Sequence, residues 1–231
     1  MNGSAIDAVI WDVDGTLVDT IPLCANTLAF TIAHHGGPEL TPHDVLARFG
    51  PTEEGLLRNV LGDEWVEAIE TYLTVYEERH EEEAEVFATI RATVAAMADA
   101  GVPMAVVTGK GARSADITLR IIGLLEAFET VAPGSMEGSV KRQEIGRIVE
   151  GWGIAAGRVA YVGDMPSDIV EARSVGVVSV AAAWKPDAHT EELAALEPDV
   201  LMLDQEAMAA WVDATVTRPG GSGAPRSGSE G

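Results

Sequence analysis

The segment Trp11–Thr20 constrains the fold of this chain more than any other. It reads Trp-Asp-Val-Asp-Gly-Thr-Leu-Val-Asp-Thr and continues the apolar run Ala8–Ile10, which predicts a buried strand that ends in two carboxylates, Asp12 and Asp14. In open α/β sheets the carboxyl edge is where ligands bind, and Gly15 permits a backbone turn there that a side chain would obstruct. For this segment alone, an Asp-Gly turn in an ordinary hairpin is the alternative.

The rest of the chain predicts how this strand is surrounded. Apolar strands alternate with helical stretches after about residue 88, whereas only helical patterns occupy residues 20–87. Such alternation is typical of a parallel sheet. We therefore expect an α/β fold class, with a Rossmann-like parallel sheet core covered by helices on both faces and an inserted all-helical cap. The predicted strands are 6–11, 104–107, 130–132, 159–162, 177–180 and 200–203.

The same pattern predicts the domain organisation. The α/β core domain should comprise residues 1–19 and 88–214, and the helical cap domain residues 20–87. Residues 215–231 are rich in Gly, Ser and Pro and poor in large apolar side chains. We expect this last segment to be a disordered tail, because it cannot bury enough apolar surface to fold.

Two further segments place polar groups near predicted strand ends. Thr108 and Gly109 follow the strand 104–107, where a hydroxyl and free backbone N–H groups can hold phosphoryl oxygens. Lys141 is an isolated lysine in a polar loop before a predicted helix. Each has an ordinary alternative, a simple turn for Thr108-Gly109 and a solvated surface charge for Lys141.

A second acidic segment follows the predicted strand 159–162. Asp164 and Asp168 lie four residues apart across a turn into a helix. Such carboxylates can bind a hard cation, and Mg²⁺ prefers a few carboxylates together with phosphate and water. The alternative is that Asp168 only caps the helix, which is less consistent with two acid-tipped strands in one chain.

Taken in order, these four segments resemble the four motifs of the haloacid dehalogenase-like (HAD) hydrolase superfamily. They are most similar to the phosphoglycolate phosphatase and pyrophosphatase-like group, whose helical cap is inserted after the first motif. The chain departs from that group in having Arg142 rather than proline after Lys141, and Phe87-Ala88-Thr89 where Pro-Gly is usual. The resemblance implies a Mg²⁺-dependent phosphatase that hydrolyses a small phosphomonoester, phosphoglycolate- or sugar-phosphate-like, through an aspartyl-phosphate.

The resemblance also implies roles for individual residues. Asp12 would be the nucleophile, and Asp14 the general acid and base. The implied ligands of Mg²⁺ are Asp12, Asp14 through its backbone carbonyl, Asp164 and Asp168. The implied phosphate-binding groups are Thr108, Gly109 and Lys141, which would be the one lysine of the active site.

In the resembling group, the cap loop that corresponds to Phe49-Gly50-Pro51 touches substrate. Arg48 precedes this loop and is therefore the expected substrate-binding cation of the cap. The alternative is that Arg48 only pairs with Asp44, four residues earlier on the same helix. An acidic cap and a single active-site lysine together favour a substrate with little charge beyond its phosphate.

Individual residues bear on other activities of the same fold. A phosphonate-cleaving enzyme needs a cap lysine for a Schiff base, and residues 20–88 contain none. A sugar phosphomutase remains an alternative, although Glu53 and Glu54 stand where a cation for a second phosphate would be expected. A non-catalytic regulatory binding protein is a further alternative, because fold alone does not determine function.

Charge and composition narrow the partners. The formal net charge is −22, which disfavours nucleic acid as a partner. No apolar run is long enough for a membrane span, no signal peptide is recognisable, and one cysteine, Cys24, fits a reducing compartment. We therefore expect a cytoplasmic protein that acts on a small phosphorylated metabolite, with no membrane partner. The sequence leaves the oligomeric state open.

Overall fold

The computed structural model describes residues 5–218 and contains a parallel sheet of six strands. In chain order the strands are β1 (Ala8–Trp11), β2 (Val18–Asp19), β3 (Glu85–Val86), β4 (Met104–Val107), β5 (Thr130–Ala132), β6 (Val159–Gly163), β7 (Val178–Ala182) and β8 (Val200–Met202). The order across the sheet is β5-β4-β1-β6-β7-β8, with every pair parallel. This confirms the predicted fold class.

Ten α-helices accompany the strands within residues 5–218. They are α1 (Ile21–His34), α2 (Pro42–Leu46), α3 (Glu53–Leu61), α4 (Trp65–Glu83), α5 (Ala88–Asp99), α6 (Ala112–Ile121), α7 (Lys141–Trp152), α8 (Pro166–Val175), α9 (Thr190–Ala195) and α10 (Gln205–Thr215). None of these helices is long and apolar enough to cross a membrane.

The two faces of the sheet are covered by different helices. Val9 and Trp11 of β1 belong to an apolar cluster that includes side chains of α5 and α10. The alternate residues of the same strand, Ala8 and Ile10, belong to a second cluster, with side chains of α7 and α8. This alternation is the period-two pattern of a strand buried on both sides.

Helices α1 to α4 form a separate apolar cluster of their own. Leu28 and Tyr72 are fully buried in it, and Ile117 of α6 joins it from the core side. The cap helix α4 packs along α6, where the Tyr76 hydroxyl lies 2.8 Å from the Thr118 hydroxyl. The cap helices and the core helix α6 therefore share a packed interface next to the edge of the sheet.

A two-stranded antiparallel ribbon connects the helical segment to the sheet. Val18 pairs with Val86 and Asp19 with Glu85. This ribbon could not be predicted from the sequence, because strands of two residues are too short to show a periodic pattern. Both chain crossings between core and cap pass through it.

The carboxyl-terminal end is ordered further than predicted. Helix α10 includes Thr215, and Val216 forms a bridge with Ile6 at the start of the chain. Residues 215–218 therefore belong to the folded structure, because the end of α10 and Val216 contact the core next to Ile6. The remainder of the predicted tail, 219–231, lies outside the described residues.

Candidate active site

Most of the site residues predicted from sequence meet where three neighbouring strands end. Asp12 follows β1, Thr108 follows β4 and Asp164 follows β6. Strand β1 lies between the other two in the sheet. Because parallel strands end at the same edge, the three side chains are brought together there, at the crevice where ligands bind in this fold class.

Asp12 is held by a fixed set of donors. The Val13 N–H donates to Asp12 Oδ1 at 2.8 Å, and Lys141 Nζ donates to Oδ2, also at 2.8 Å. Burial raises the pKa of Asp12 to about 6, although Lys141 lowers it and Asp168 raises it further. Lys141 therefore fixes the orientation of a carboxylate that is 4% exposed.

Lys141 is the first residue of α7 and bridges two carboxylates. Its ammonium group lies 2.6 Å from Asp168 Oδ1 as well as 2.8 Å from Asp12 Oδ2. Burial alone would lower the pKa of Lys141, but Asp12 and Asp168 raise it well above its usual value. The lysine is therefore a permanent cation of the site and not a solvated surface charge.

Asp168 is fully buried and both of its oxygens accept hydrogen bonds. The Tyr161 hydroxyl donates to Oδ1 at 3.2 Å, and the Met165 N–H donates to Oδ2 at 3.0 Å. The second bond satisfies the N-cap backbone N–H at the start of α8. These contacts favour a role for Asp168 in positioning Lys141, in addition to the role of metal ligand that the sequence predicts.

Asp164 presents the opposite situation. Both of its carboxylate oxygens are buried without a hydrogen-bond donor among residues 5–218, and its nearest cation is Lys185 Nζ at 3.4 Å. Burial raises the pKa of Asp164 to about 8, with Asp12 and Asp168 adding to the rise. A buried carboxylate that lacks donors fits a site for a cation.

Oxygen atoms of Asp12, Asp164 and Asp168 all lie within 4.8 Å of one another. Three carboxylates at this spacing supply the hard oxygen ligands that Mg²⁺ prefers. A divalent cation would also offset their mutual repulsion, which is what raises the pKa of Asp164 once burial is accounted for. The residues present therefore fit a bound divalent metal ion.

Asp14 lies beside this cluster and has different partners. Its carboxylate accepts a hydrogen bond from the Thr20 hydroxyl, and Lys110 Nζ lies 3.2 Å from its Oδ1. Unlike Asp12, it is only half-buried. The two carboxylates of the first segment thus occupy distinct environments, one facing Lys141 and the other facing Lys110.

Glycine is required between the two acidic strand ends. Gly15 has φ +76°, and an added Cβ would collide with the Asp164 carboxylate. The predicted turn is therefore present, and its glycine also allows the chain to pass close to the candidate metal ligands. At Gly163, an added Cβ would collide with Asp168 in the same way.

A cavity of about 280 Å³ opens at this edge between the core and the cap helices. Six predicted site residues line it: Asp12, Asp14, Thr108, Gly109, Lys141 and Asp164. Asp168 lies behind Lys141. The cap contributes the loop 49–51 and residues of α1 and α3, so the cap forms one wall of the cavity.

Arg48 is placed outside this cavity. Its guanidinium is exposed and donates to the Asp44 backbone carbonyl. It borders a separate shallow surface depression with Pro51 and Asn59. In the described structure Arg48 therefore pairs with Asp44, which is the alternative to a substrate contact. The atom that accepts the hydrogen bond is the backbone carbonyl of Asp44 and not its carboxylate.

Lys110 and Glu53 are the site residues that the sequence analysis did not assign. Lys110 is 3% exposed and lies 3.4 Å from Glu53 Oε1. Glu53, at the start of α3, also accepts from the Gly111 N–H and the Ser114 hydroxyl, both at 2.7 Å. The expectation of a single active-site lysine is wrong, because Lys110 also lines the cavity.

A signal for the missed residues existed in the sequence. The chain has three lysines, Lys110, Lys141 and Lys185. In an acidic chain with so few lysines, each one is a candidate partner for a buried carboxylate. All three are buried in ion pairs at this edge of the sheet.

Comparison with known families agrees with this site. The family model described as haloacid dehalogenase-like hydrolase matches residues 9–182, so this chain belongs to that family of enzymes. The match covers the acidic ends of β1 and β6, Thr108 and Lys141. It confirms the resemblance drawn from the sequence motifs.

Individual relatives carry more specific names. The chain is 26% identical over 201 residues to the pyrophosphatase PpaX of Bacillus mycoides, covering 85% of this chain and 92% of the relative. It is 26% identical over 195 residues to a phosphoglycolate phosphatase of Chromobacterium violaceum, covering 80% and 88%. It is also 30% identical over 189 residues to the tyrosine-protein kinase PtkA of Mycobacterium bovis, covering 79% and 64%.

The fold is shared with solved structures. A protein of Haemophilus somnus described as a predicted phosphoglycolate phosphatase superposes with a TM-score of 0.72 at 19% identity, covering 89% of this chain and 97% of that one. At this identity the likeness concerns the fold, including the helices inserted after the first strand.

Proposed function

We propose that this protein is a Mg²⁺-dependent phosphatase that hydrolyses a small phosphomonoester through a phosphoryl group carried on Asp12. The observation that carries the proposal is the placement of Asp12. One of its oxygens is fixed by Lys141 at 2.8 Å, and the buried, donor-free carboxylate of Asp164 lies beside it. The phosphatase names of two relatives support the same reaction class.

The residues suggest a division of labour. An Asp12 oxygen attacks phosphorus while the bond to the leaving oxygen breaks, and Asp14 gives that oxygen a proton. Asp14 then takes a proton from water, which attacks the aspartyl-phosphate, releases phosphate and restores Asp12. Thr108, the Gly109 backbone and Lys141 hold the transferring oxygens, because phosphoryl transfer depends on positioning and electrostatic stabilisation.

Asp12, Asp164, Asp168 and the Asp14 carbonyl are the proposed holders of Mg²⁺. When bound, the ion neutralises negative charge, so that a carboxylate and a phosphate can approach each other. We further propose residues 20–87 as the cap domain, and the segment before residue 20 together with residues 88–218 as the α/β core. The cap wall of the cavity excludes water during transfer.

The test is phosphate release from p-nitrophenyl phosphate by the purified chain in Mg²⁺. We expect saturable, stoichiometric release of inorganic phosphate and nitrophenol. Nitrophenol without free phosphate would instead indicate transfer to another hydroxyl, as in a phosphomutase or a kinase. No turnover of any ester would support the non-catalytic alternative.

The position of Arg48 gives a prediction about specificity. Arg48 lies outside the cavity, whereas its neighbour Phe49 lines it. We therefore expect Arg48→Ala to change the ratio of kcat/KM between two phosphate esters less than about twofold, under ~0.4 kcal/mol. Phe49→Ala should change that ratio more.

Steady-state kinetics with one compact and one bulky ester would measure both variants. If Arg48→Ala raised KM selectively for one ester, the sequence-based expectation of a substrate contact would be correct. The cap would then adopt a different arrangement when substrate is bound.

A further inference from the structure

The cavity offers few positive charges to a substrate. Among the residues that line it, Lys110 and Lys141 are the cations, and neither arginine nor histidine is present in that set. Both ammonium groups are already engaged within the protein. The capacity of these two groups to neutralise charge on a substrate therefore depends on their existing partners.

Lys141 is occupied on the core side of the cavity. Asp12 and Asp168 lie 2.8 and 2.6 Å from its ammonium group. In the proposed reaction it serves the transferring phosphoryl group, which adjoins Asp12. It is therefore not a partner for any charge on the leaving group.

Lys110 is occupied on the cap side. Asp14 Oδ1 lies at 3.2 Å and Glu53 Oε1 at 3.4 Å, Cys24 Sγ is 3.1 Å away, and the ammonium group sits 4.5 Å from the centre of the Tyr76 ring. Burial would lower the pKa of Lys110, but Asp14 and its other neighbours raise it well above the usual value. Its charge is thus matched before any substrate enters.

The remaining charges of the cavity are negative. Its lining includes the carboxylates of Asp12, Asp14, Glu53 and Asp164. A single divalent cation would balance the excess of carboxylates over lysines, and the phosphate adds charge of its own. A further anion on the leaving group would enter without a free cation to pair with, which is costly among carboxylates in a partly enclosed cavity.

Much of the cavity lining away from the carboxylates is apolar. Leu28 and Leu56 are buried, Phe49 is 42% exposed at the mouth, and all three line the cavity. The other apolar lining residues are Ile21, Pro51, Val140 and Met165. Such a surface favours an uncharged leaving group with carbon surface to bury.

We infer that this enzyme selects phosphomonoesters whose leaving group is uncharged and partly apolar, and discriminates against those that carry a second anion. This inference rests on the proposed phosphatase function and narrows its substrate class. It departs from the names of the relatives, because phosphoglycolate carries a carboxylate and pyrophosphate a second phosphate. Glu53 is the specificity-determining residue, since it and Asp14 together neutralise Lys110, the cation that lines the cap side of the cavity.

An isosteric pair of substrates tests the charge preference. Phosphoglycolate and its neutral amide differ in the charge of one group while keeping nearly the same size. In Mg²⁺ we expect kcat/KM for the amide to exceed that for phosphoglycolate at least about tenfold, and n-butyl phosphate to match or exceed the amide. Equal or better turnover of phosphoglycolate would overturn the inference.

Two variants locate the origin of the preference. Glu53→Gln keeps an acceptor for Gly111 but leaves Lys110 with one carboxylate fewer, so the amide-to-glycolate ratio should fall several-fold. Glu54→Gln makes the same change in net charge at a neighbour that does not line the cavity, and should leave the ratio unchanged. An unchanged ratio in Glu53→Gln would overturn the assignment to Glu53.

A second substitution avoids the buried network. Phe49 is partly exposed at the mouth of the cavity, so Phe49→Arg adds a cation there without disturbing the core. It should lower the amide-to-glycolate ratio relative to the neutral control Phe49→Gln. A ratio equal in the two variants would count against a charge-based preference.

The outcomes separate this inference from the proposed function. If p-nitrophenyl phosphate is hydrolysed and phosphoglycolate is preferred over its amide, the inference fails and the function stands. If no ester is hydrolysed, the function fails. The charge preference is then measured as the rise in Tm that phosphoglycolate and its amide each produce. A larger rise with phosphoglycolate would overturn the inference.

Discussion

Replacing Asp12 by asparagine is expected to lower kcat/KM at least about a thousandfold, about 4 kcal/mol of transition-state stabilisation. The amide keeps the shape of the carboxylate and its contact with Val13, but it is a far weaker nucleophile. Lys141 keeps Asp168 as its partner, so we expect the variant to remain folded. Phosphate release from p-nitrophenyl phosphate and a thermal melt would measure the two effects separately.

The matched control is Asp116→Asn. Asp116 lies on α6 with a side chain 56% exposed and pairs with Arg120, so its substitution should leave kcat/KM within about twofold, under ~0.5 kcal/mol. If Asp12→Asn kept activity within about tenfold of the unmodified protein, or ~1.4 kcal/mol, Asp12 would not be the nucleophile.

Removing divalent metal is expected to abolish activity reversibly. The carboxylates of Asp12, Asp164 and Asp168 are buried within 4.8 Å of one another, and a bound divalent cation would offset the repulsion that Lys141 and Lys185 leave uncompensated. EDTA should reduce turnover to background, and excess Mg²⁺ should restore it. Ca²⁺ should not substitute and should inhibit, because its larger and looser coordination shell disturbs in-line geometry.

Stability provides a second measurement of the same site. At a Mg²⁺ concentration about a hundredfold above its Kd, binding should add about 2.7 kcal/mol and raise Tm by roughly 5–10 °C. Asp164→Asn removes the carboxylate that lacks donors and should abolish most of this rise. Full activity in excess chelator, or an equal rise in the variant, would argue against the proposed metal site.

The strands and their acidic ends could be predicted from the sequence because they rest on local patterns. The predicted strands 104–107 and 130–132 have the observed bounds. For the other four strands, each predicted bound differs from the observed one by at most two residues. Asp12, Thr108 and Asp164 meet because parallel strands end at one edge, which follows from topology alone. Gly15 is likewise explained by local backbone geometry.

The pairing of Lys110 with Glu53 could not be predicted in the same way. Lys110 lies in the loop between β4 and α6 and Glu53 at the start of α3, so their contact depends on how the cap packs against the core. The partner of Arg48 could not be predicted either, because it depends on the orientation of the side chain. The guanidinium turns back to the Asp44 carbonyl. Local patterns locate an element, whereas the partners of a long side chain depend on tertiary packing.

The most direct test of the central claim is to trap the phosphoryl group on the protein. A radiolabelled phosphate ester that has been shown to turn over would be mixed with excess enzyme in Mg²⁺, quenched in acid within one turnover, and the label mapped by peptide. We predict acid-stable label, released by hydroxylamine, on the peptide that contains Asp12, and none in Asp12→Asn. Label on a different residue, or phosphate release with no label on Asp12 at any time during the turnover, would contradict the account.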